Sequence, residues 1–227
     1  MQWNPRGIKN KRIEAQILMD RCKAQVFCIG ESKIPPHEDF IFAGYEVFLK
    51  NKELNPGNNA HGGVAILARK EVAPIPVKIK TNFQAVAISV KLHKRITIVS
   101  IYIPPGVSGD FTEGELEKLI DQLPKPYMIL GDFNAHNTLW FGKKVNGRGT
   151  IIENVLMKKN SYFLDQDHDT YVDTRGGEMS SSHIDLSICS LDLLQDFEWG
   201  VYDDLMRSDH FGFVQVVKVD HNDTQSG

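Results

Sequence analysis

The sequence predicts an α/β fold built on stacked β-sheets with helices packed outside them. Three observations lead there. Seven segments rich in β-branched or alternating apolar residues read as strands: 26–29, 63–67, 86–92, 96–103, 127–130, 184–189 and 211–219. In one of them Val86, Ile88, Val90 and Leu92 alternate with smaller or polar neighbours, which is the pattern of a sheet with one face against a second layer and the other toward helices or water. Three amphipathic stretches fall between the strands.

Taken in order, the first helix is expected over 11–23, with Ile13, Ile17 and Leu18 inward. Strand 26–29 follows, and Cys28 within it reads as a small hydrophobe. The helix over 113–123 is the clearest, because Leu116, Leu119, Ile120 and Leu123 fall at i, i+3, i+4 and i+7 and Thr112 with Glu115 forms a capping box. A third helix over 150–159 turns Ile151, Ile152, Val155 and Leu156 inward. Residues 171–181 have turn-forming glycines between strand-like flanks, a hairpin signature. In 184–189 the apolar face is Ile184, Leu186 and Ile188, so Asp185 points the opposite way. No composition shift divides the chain, so residues 1–219 are expected to form one domain and the polar stretch 220–227 a loose tail.

Composition narrows the function classes. The 227 residues are 41% hydrophobic and 24% charged, which excludes a disordered chain, a collagen-like repeat and a disulfide scaffold. The net charge of −3 gives no global positive field, so any nucleic-acid contact must come from local clusters. The longest apolar runs, such as 64–68 and 127–130, fall far short of the roughly 20 residues a membrane-spanning helix needs. No membrane partner is expected. The N-terminus lacks the apolar core of a secretory signal, and the three cysteines, Cys22, Cys28 and Cys189, form no metal or disulfide pattern. Both point to a reducing, intracellular setting.

The chemistry is concentrated where strands end. The run 127–130 leads into Gly131-Asp132-Phe133-Asn134, with Gly131 read as permitting a sharp turn and the two-residue period placing Asp132 and Asn134 on one side. A carboxylate there accepts a proton from water, while a neutral amide beside it donates to an anion. A Gly-Asp pair is also a routine turn. Its weight rises because Glu31, Asp185 and Asp209-His210 recur at other strand ends, with Asn4 and Tyr102 comparably placed. Several carboxylates at one sheet edge repel one another unless a cation joins them, and hard oxygen ligands select Mg²⁺ or Mn²⁺. Such a constellation suits phosphoryl hydrolysis.

These blocks resemble the exonuclease III/endonuclease/phosphatase superfamily of metal-dependent phosphoesterases, and within it the endonuclease domain of non-LTR retrotransposons. The opening Gln2-Trp3-Asn4-Pro5-Arg6-Gly7, the central GDFNAHNTLWFG of 131–142, and the late 182–188 and 208–210 each match a family block, and Asn146-Gly147-Arg148-Gly149 is similar to the retroelement branch. The resemblance implies a four-layer α/β sandwich, with two mixed β-sheets face to face flanked by helices, and Mg²⁺-assisted cleavage of double-stranded DNA. Glu31 would bind the metal, with Asn4 and Asp209 as ligands or neighbours of the ligands. Asp132 would orient and deprotonate the attacking water, and Asn134 would hold the water or a phosphate oxygen. His210, steered by Asp185, would stabilise the pentacovalent transition state, and Tyr102 would touch the phosphate or the leaving oxygen. One departure stands out: Gly30 precedes Glu31 where the family usually has Gln.

For DNA contact the resemblance implies that the 171–181 hairpin enters a groove, with Arg175 as the contact. A plain surface hairpin fits the same residues. Lys143, Lys144 and Arg148 form a basic cluster beside the central block, which either neutralises flanking phosphates or simply solvates a face. His136 and Trp140 are read as structural and His183 as outside the chemistry. The family reading is a nick that leaves a 3′-hydroxyl to prime reverse transcription, in the nucleus, with the reverse transcriptase region of the same polyprotein as partner. An abasic-site repair endonuclease, a small-substrate phosphatase and a catalytically decayed DNA-binding module are the alternatives.

Overall fold

The structure, a computed structural model, describes residues 1–35, 39–51, 62–106, 111–174 and 179–218. The chain begins with β1 (Gln2–Trp3), α1 (Arg12–Arg21), β2 (Val26–Ile29), β3 (Tyr45–Lys50) and β4 (Val64–Arg69). It continues through β5 (Ile75–Val77), β6 (Gln84–Lys91), β7 (Arg95–Tyr102), α2 (Glu113–Asp121), β8 (Tyr127–Asp132) and α3 (Gly147–Lys159). It closes with β9 (Ser161–Phe163), β10 (Tyr171–Asp173), β11 (Ser180–Ser182), β12 (Asp185–Ser190), β13 (Phe197–Tyr202) and β14 (Gly212–Val217).

Two six-stranded sheets result, in the orders β13-β14-β1-β2-β4-β3 and β5-β6-β7-β8-β12-β9, and β10 pairs with β11 as a separate hairpin. Both sheets are mixed: β1 runs parallel to β2 and β7 parallel to β8, while the remaining neighbours are antiparallel. The sheets pack face to face through Val26, Cys28, Ile66, Ile88, Val90, Ile98, Met128 and Leu130. Helices α2 and α3 cover one outer face through Leu116, Leu119, Ile120, Ile152, Val155 and Leu156, and α1 covers the other through Ala15, Leu18 and Met19. This is the four-layer sandwich. The alternation in β6 explains how one strand serves two layers: Ile88 and Val90 face the other sheet, while the small Ala85 and Ala87 leave room for the helices. Cys28 and Cys189 are buried and free, and burial pushes both thiols up to about 12, so they pack as hydrophobes.

Three details differ from the sequence reading. Ile13, expected inward, is 74% exposed, and Ala15 and Met19 take the inner face with Leu18. Helix α3 begins three residues early, because the Asn146 side chain accepts from Gly149 N at 2.8 Å and caps it. Gly131 lies within β8 rather than in a turn: a Cβ there would sit 1.8 Å from the Ile101 carbonyl of the adjacent strand. The glycine is set by a close approach of backbones. Residues 175–178, which include Arg175, and the expected tail over 220–227 lie outside the described residues.

Candidate active site

The strand pairing brings the chemistry to one end of the sandwich. The C-terminal ends of β1, β2, β7 and β8 meet the N-terminal ends of β12 and β14 there. In the second sheet Asp132 stands in register with Tyr102 on one neighbour and Asp185 on the other. The first sheet answers across the gap. Asn4 Nδ2 donates to Asp132 Oδ2 at 3.0 Å, Gln2 Nε2 donates to Asp185 Oδ1 at 3.1 Å, and His210 Nδ1 donates to Asp185 Oδ2 at 2.8 Å. Gln2 and Asn4 share a face because they are two residues apart, and Trp3, on the opposite face, holds the His210 carbonyl through its indole at 3.0 Å. All of these groups are buried.

Asn134 reaches Asp132 by a different route from strand alternation. Its backbone is left-handed, at φ 48°, and the turn folds it back so that its amide N–H and its Nδ2 both donate to Asp132 Oδ1, at 2.9 and 2.8 Å. Nδ2 also donates to the Ile103 carbonyl at 3.0 Å. Asp132 therefore accepts three hydrogen bonds that fix its orientation. His136 and Trp140 are structural: the His136 carbonyl receives the Asn146 amide at 3.0 Å, and Trp140 is buried in the core under α3.

Burial and the adjacent Asp185 charge raise the Asp132 carboxyl above its usual range, against the pull of His210 and the donated hydrogen bonds. For His210, burial favours the neutral ring, but the charge and hydrogen bond of Asp185, helped by Asp132 and Asp209, outweigh it and raise the imidazole to about 9. The balance favours the protonated ring. Its Nε2 lies 4.0 Å from Asp132 Oδ2, 3.9 Å from Asp209 Oδ1 and 3.5 Å from Asn4 Nδ2. Burial and the charges of Glu31 and Asp132 raise the Tyr102 phenol, which stays a donor. The site thus pairs a base-capable carboxyl with two proton-bearing groups.

Glu31 and Asp209, read from the sequence as metal ligands, each already face a cationic side chain. Glu31, itself left-handed at φ 43°, follows β2, and its carbonyl accepts from the Gly7 amide at 2.9 Å. Ser208 Oγ donates to the Asn4 carbonyl at 2.7 Å and ties the Asp209 segment to the same turn. Glu31 already attracts Lys33 at 3.0 Å, and Asp209 Oδ2 pairs with Arg6. Asp209 Oδ1 is buried with no hydrogen-bond partner among the described residues, and an orphaned carboxylate oxygen is a candidate ligand for a hard cation. Asp132, Asp185 and His210 also offer ligand atoms within 4.8 Å of one another, but the hydrogen bonds above already engage them.

Residues 96–214 match the family model described as endonuclease-reverse transcriptase. The chain belongs to the endonuclease-reverse transcriptase family. Its relatives include the probable RNA-directed DNA polymerase of transposon X-element from Drosophila melanogaster, 25% identical over 159 residues, and that of mobile element jockey from Drosophila funebris, 22% identical over 158. Each match covers 68% of this chain but 17% of the relative, so the chain spans a small part of their length. Among solved structures, the endonuclease domain of TRAS1, a telomere-specific non-LTR retrotransposon, superposes with a TM-score of 0.79 at 26% identity, covering 96% of this chain and 97% of that one. An AP endonuclease from Archaeoglobus fulgidus shares the fold, with a TM-score of 0.70 at 16% identity over 96% and 98% of the two chains.

Within this endonuclease-reverse transcriptase fold, Asn4, Tyr102, Asp132, Asn134, Asp185 and His210 converge, and Glu31 and Asp209 flank them. Lys143 and Lys144 are exposed on the loop after β8. Arg148 is half-buried, and its guanidinium donates to the carbonyls of Pro104, Phe133 and Ile103 at 2.6, 3.4 and 3.5 Å. His183 takes no part in the hydrogen bonds of the site: it lies 3.4 Å from Asp165 and stacks on Trp199. Gln2, Thr170 and Tyr171 were not foreseen. Thr170 Oγ1 accepts from the Ile184 and Asp185 amides at 3.2 and 3.1 Å, and the Tyr171 ring lies 4.8 Å from that of His210. Only Gln2 carried a signal, its spacing of two from Asn4.

Proposed function

We propose that this chain is a divalent-metal-dependent endonuclease that nicks double-stranded DNA. The observation that carries the reading is the convergence of Asp132 with the Asp185–His210 pair across two sheets, at an end where Asp209 keeps an orphaned buried oxygen. Asp132, held by Asn4 and Asn134, takes a proton from the attacking water, and its raised pKa suits a base working near neutral pH. His210 donates through Nε2 to a phosphate oxygen as charge builds there, while Asp185 holds the ring and its proton. Tyr102 offers its hydroxyl to the phosphate or the departing oxygen. Glu31 and Asp209, with Asn4 beside them, would hold the metal, which when bound supplies positive charge for the leaving 3′ oxygen.

As the water oxygen bonds to phosphorus the P–O3′ bond breaks, and the departing 3′ oxygen takes up a proton from solvent, leaving a 3′-hydroxyl and a 5′-phosphate. The relatives are RNA-directed DNA polymerases of mobile elements, which supports a further step: the 3′-hydroxyl primes reverse transcription in the nucleus by the polymerase region of the same polyprotein. Among the described residues no helix is long and apolar enough to cross a membrane.

Supercoiled plasmid tests the reading. Open circles should form with Mg²⁺, vanish with EDTA and vanish in His210→Ala. Strong preference for an abasic duplex over intact plasmid would move the chain to repair, release of phosphate from a small ester would make it a phosphatase, and DNA binding without cleavage, unchanged by Asp132→Ala, would make it a binding module.

A further inference from the structure

The loop between β8 and α3 exposes apolar side chains where solvent should drive them inward. Leu139 is 53% exposed, Phe141 47% and Val145 53%, and Lys143 and Lys144 are exposed among them. The loop is rigidly built. Asn137 Oδ1 accepts from the Leu139 amide at 2.9 Å, and its Nδ2 donates to Glu153 of α3 at 2.8 Å. The Gly142 amide returns to the Asn137 carbonyl at 2.8 Å, and Trp140 between them is fully buried. Gly142 and Gly149 admit no side chain, since a Cβ would lie 2.7 Å from the Asn137 carbonyl and 2.0 Å from the His136 carbonyl. Phe141 is held at φ 66°, ψ 9°, a left-handed conformation that a bulky aromatic rarely adopts and that persists only where the surroundings impose it.

This loop leaves the same strand end as Asp132 and Asn134, and Phe141 packs 6.2 Å from His183, two residues before Asp185. It therefore stands at the catalytic end of the sandwich. Apolar groups fixed on a rigid loop, with lysines alongside to meet phosphates, match the chemistry of a side-chain wedge that parts stacked bases. We propose that Leu139 and Phe141 form such a wedge, entering a groove of the DNA duplex beside the scissile phosphate and directing the nick to base steps that unstack easily. The inference rests on the nuclease reading above. Pyrimidine–purine steps are the most readily kinked, so nicks should concentrate there.

Two measurements on the full chain test this. Nick sites on supercoiled plasmid are mapped by dinucleotide step, and a duplex carrying 2-aminopurine at a TA step is titrated with protein in EDTA at low salt. Wild type should favour pyrimidine–purine steps by about tenfold and brighten the probe as it unstacks. Leu139→Ser with Phe141→Asn should lose both, with an unchanged melting temperature, because Asn tolerates the left-handed backbone. Leu139→Met with Phe141→Trp should keep both. If wild type nicks and the Ser/Asn variant retains the step preference and the probe signal, the wedge is wrong and the nuclease reading stands. A variant that alters only sedimentation assigns the patch to protein contact and equally overturns the wedge. If wild type neither nicks nor binds any duplex, the nuclease reading itself fails.

Discussion

Asp132 and Asp185 stand directly opposite one another in the β8–β12 ladder, so two carboxylates share one buried end of the inter-sheet cleft. Like charges at that spacing raise one another's proton affinity, and the fold meets the problem asymmetrically. Asp185 takes the His210 cation and Gln2, whereas Asp132 takes only neutral donors, Asn4 and Asn134. In the proposed mechanism this asymmetry separates their tasks: Asp185 keeps a proton on the ring, and Asp132 is free to accept one.

Asp185→Asn should therefore lower the His210 pKa from about 9 toward its ordinary value and leave the ring mostly neutral at pH 7.5. Nicking should fall by roughly 10²- to 10⁴-fold. Titration of the His210 ring by NMR, beside nicking rates, checks both. An unshifted ring with normal activity would detach Asp185 from the mechanism.

The same geometry sets a pH dependence for folding. His210 binds its proton more tightly folded than unfolded, so its contribution is fully present below pH 6.5 and disappears as pH rises to about 9. For metal-free protein that is about 3 kcal/mol of stability lost across the window. The raised Asp132 carboxyl acts with the same sign at lower pH. Urea melts from pH 6 to 9.5 should show the decline in wild type and little of it in His210→Gln.

Gly131→Ala tests the close approach of β7 and β8. A methyl group 1.8 Å from the Ile101 carbonyl cannot be accommodated without parting the two strands. The cost should be about 3 kcal/mol, the upper range for overpacking, and Asp132, the next residue, should shift with the strand. Urea denaturation gives the first quantity, and loss of activity beyond the unfolded fraction gives the second.

The layers were legible in the sequence because period carries burial. Leu116, Leu119 and Ile120 could face only the core, and Val90 and Ile88 only the other sheet. The site was legible as separate strand ends, each with its carboxylate, amide or imidazole. What joins them was not. The Gln2–Asp185 bond spans 183 positions, and no local pattern announces a contact of that range. Thr170 works through backbone amides, which any short hydroxyl can do, and Asn134 reaches Asp132 through a left-handed turn rather than the strand period. Edge strands β3 and β13 carry charged, half-exposed faces and gave weak signals for the same reason that they sit at an edge.

The basic cluster beside the site should divide in two when neutralised. Lys143 and Lys144 are exposed, so Lys143→Gln with Lys144→Gln should weaken duplex binding and flatten the slope of log K against log salt by about two, one for each phosphate left without its lysine. Arg148 differs, because its guanidinium fastens the carbonyls of Ile103, Pro104 and Phe133 and lies over the Phe111 ring. These carbonyls flank Tyr102 and Asn134, and Asn134 Nδ2 shares the Ile103 acceptor. Arg148→Gln should leave those buried acceptors short of donors, lowering stability by about 1–3 kcal/mol and slowing nicking, while the salt slope changes little. Fluorescence anisotropy across a salt series, with urea melts of the same variants, separates the two. A salt slope lowered equally by Arg148→Gln would make that guanidinium a phosphate ligand after all.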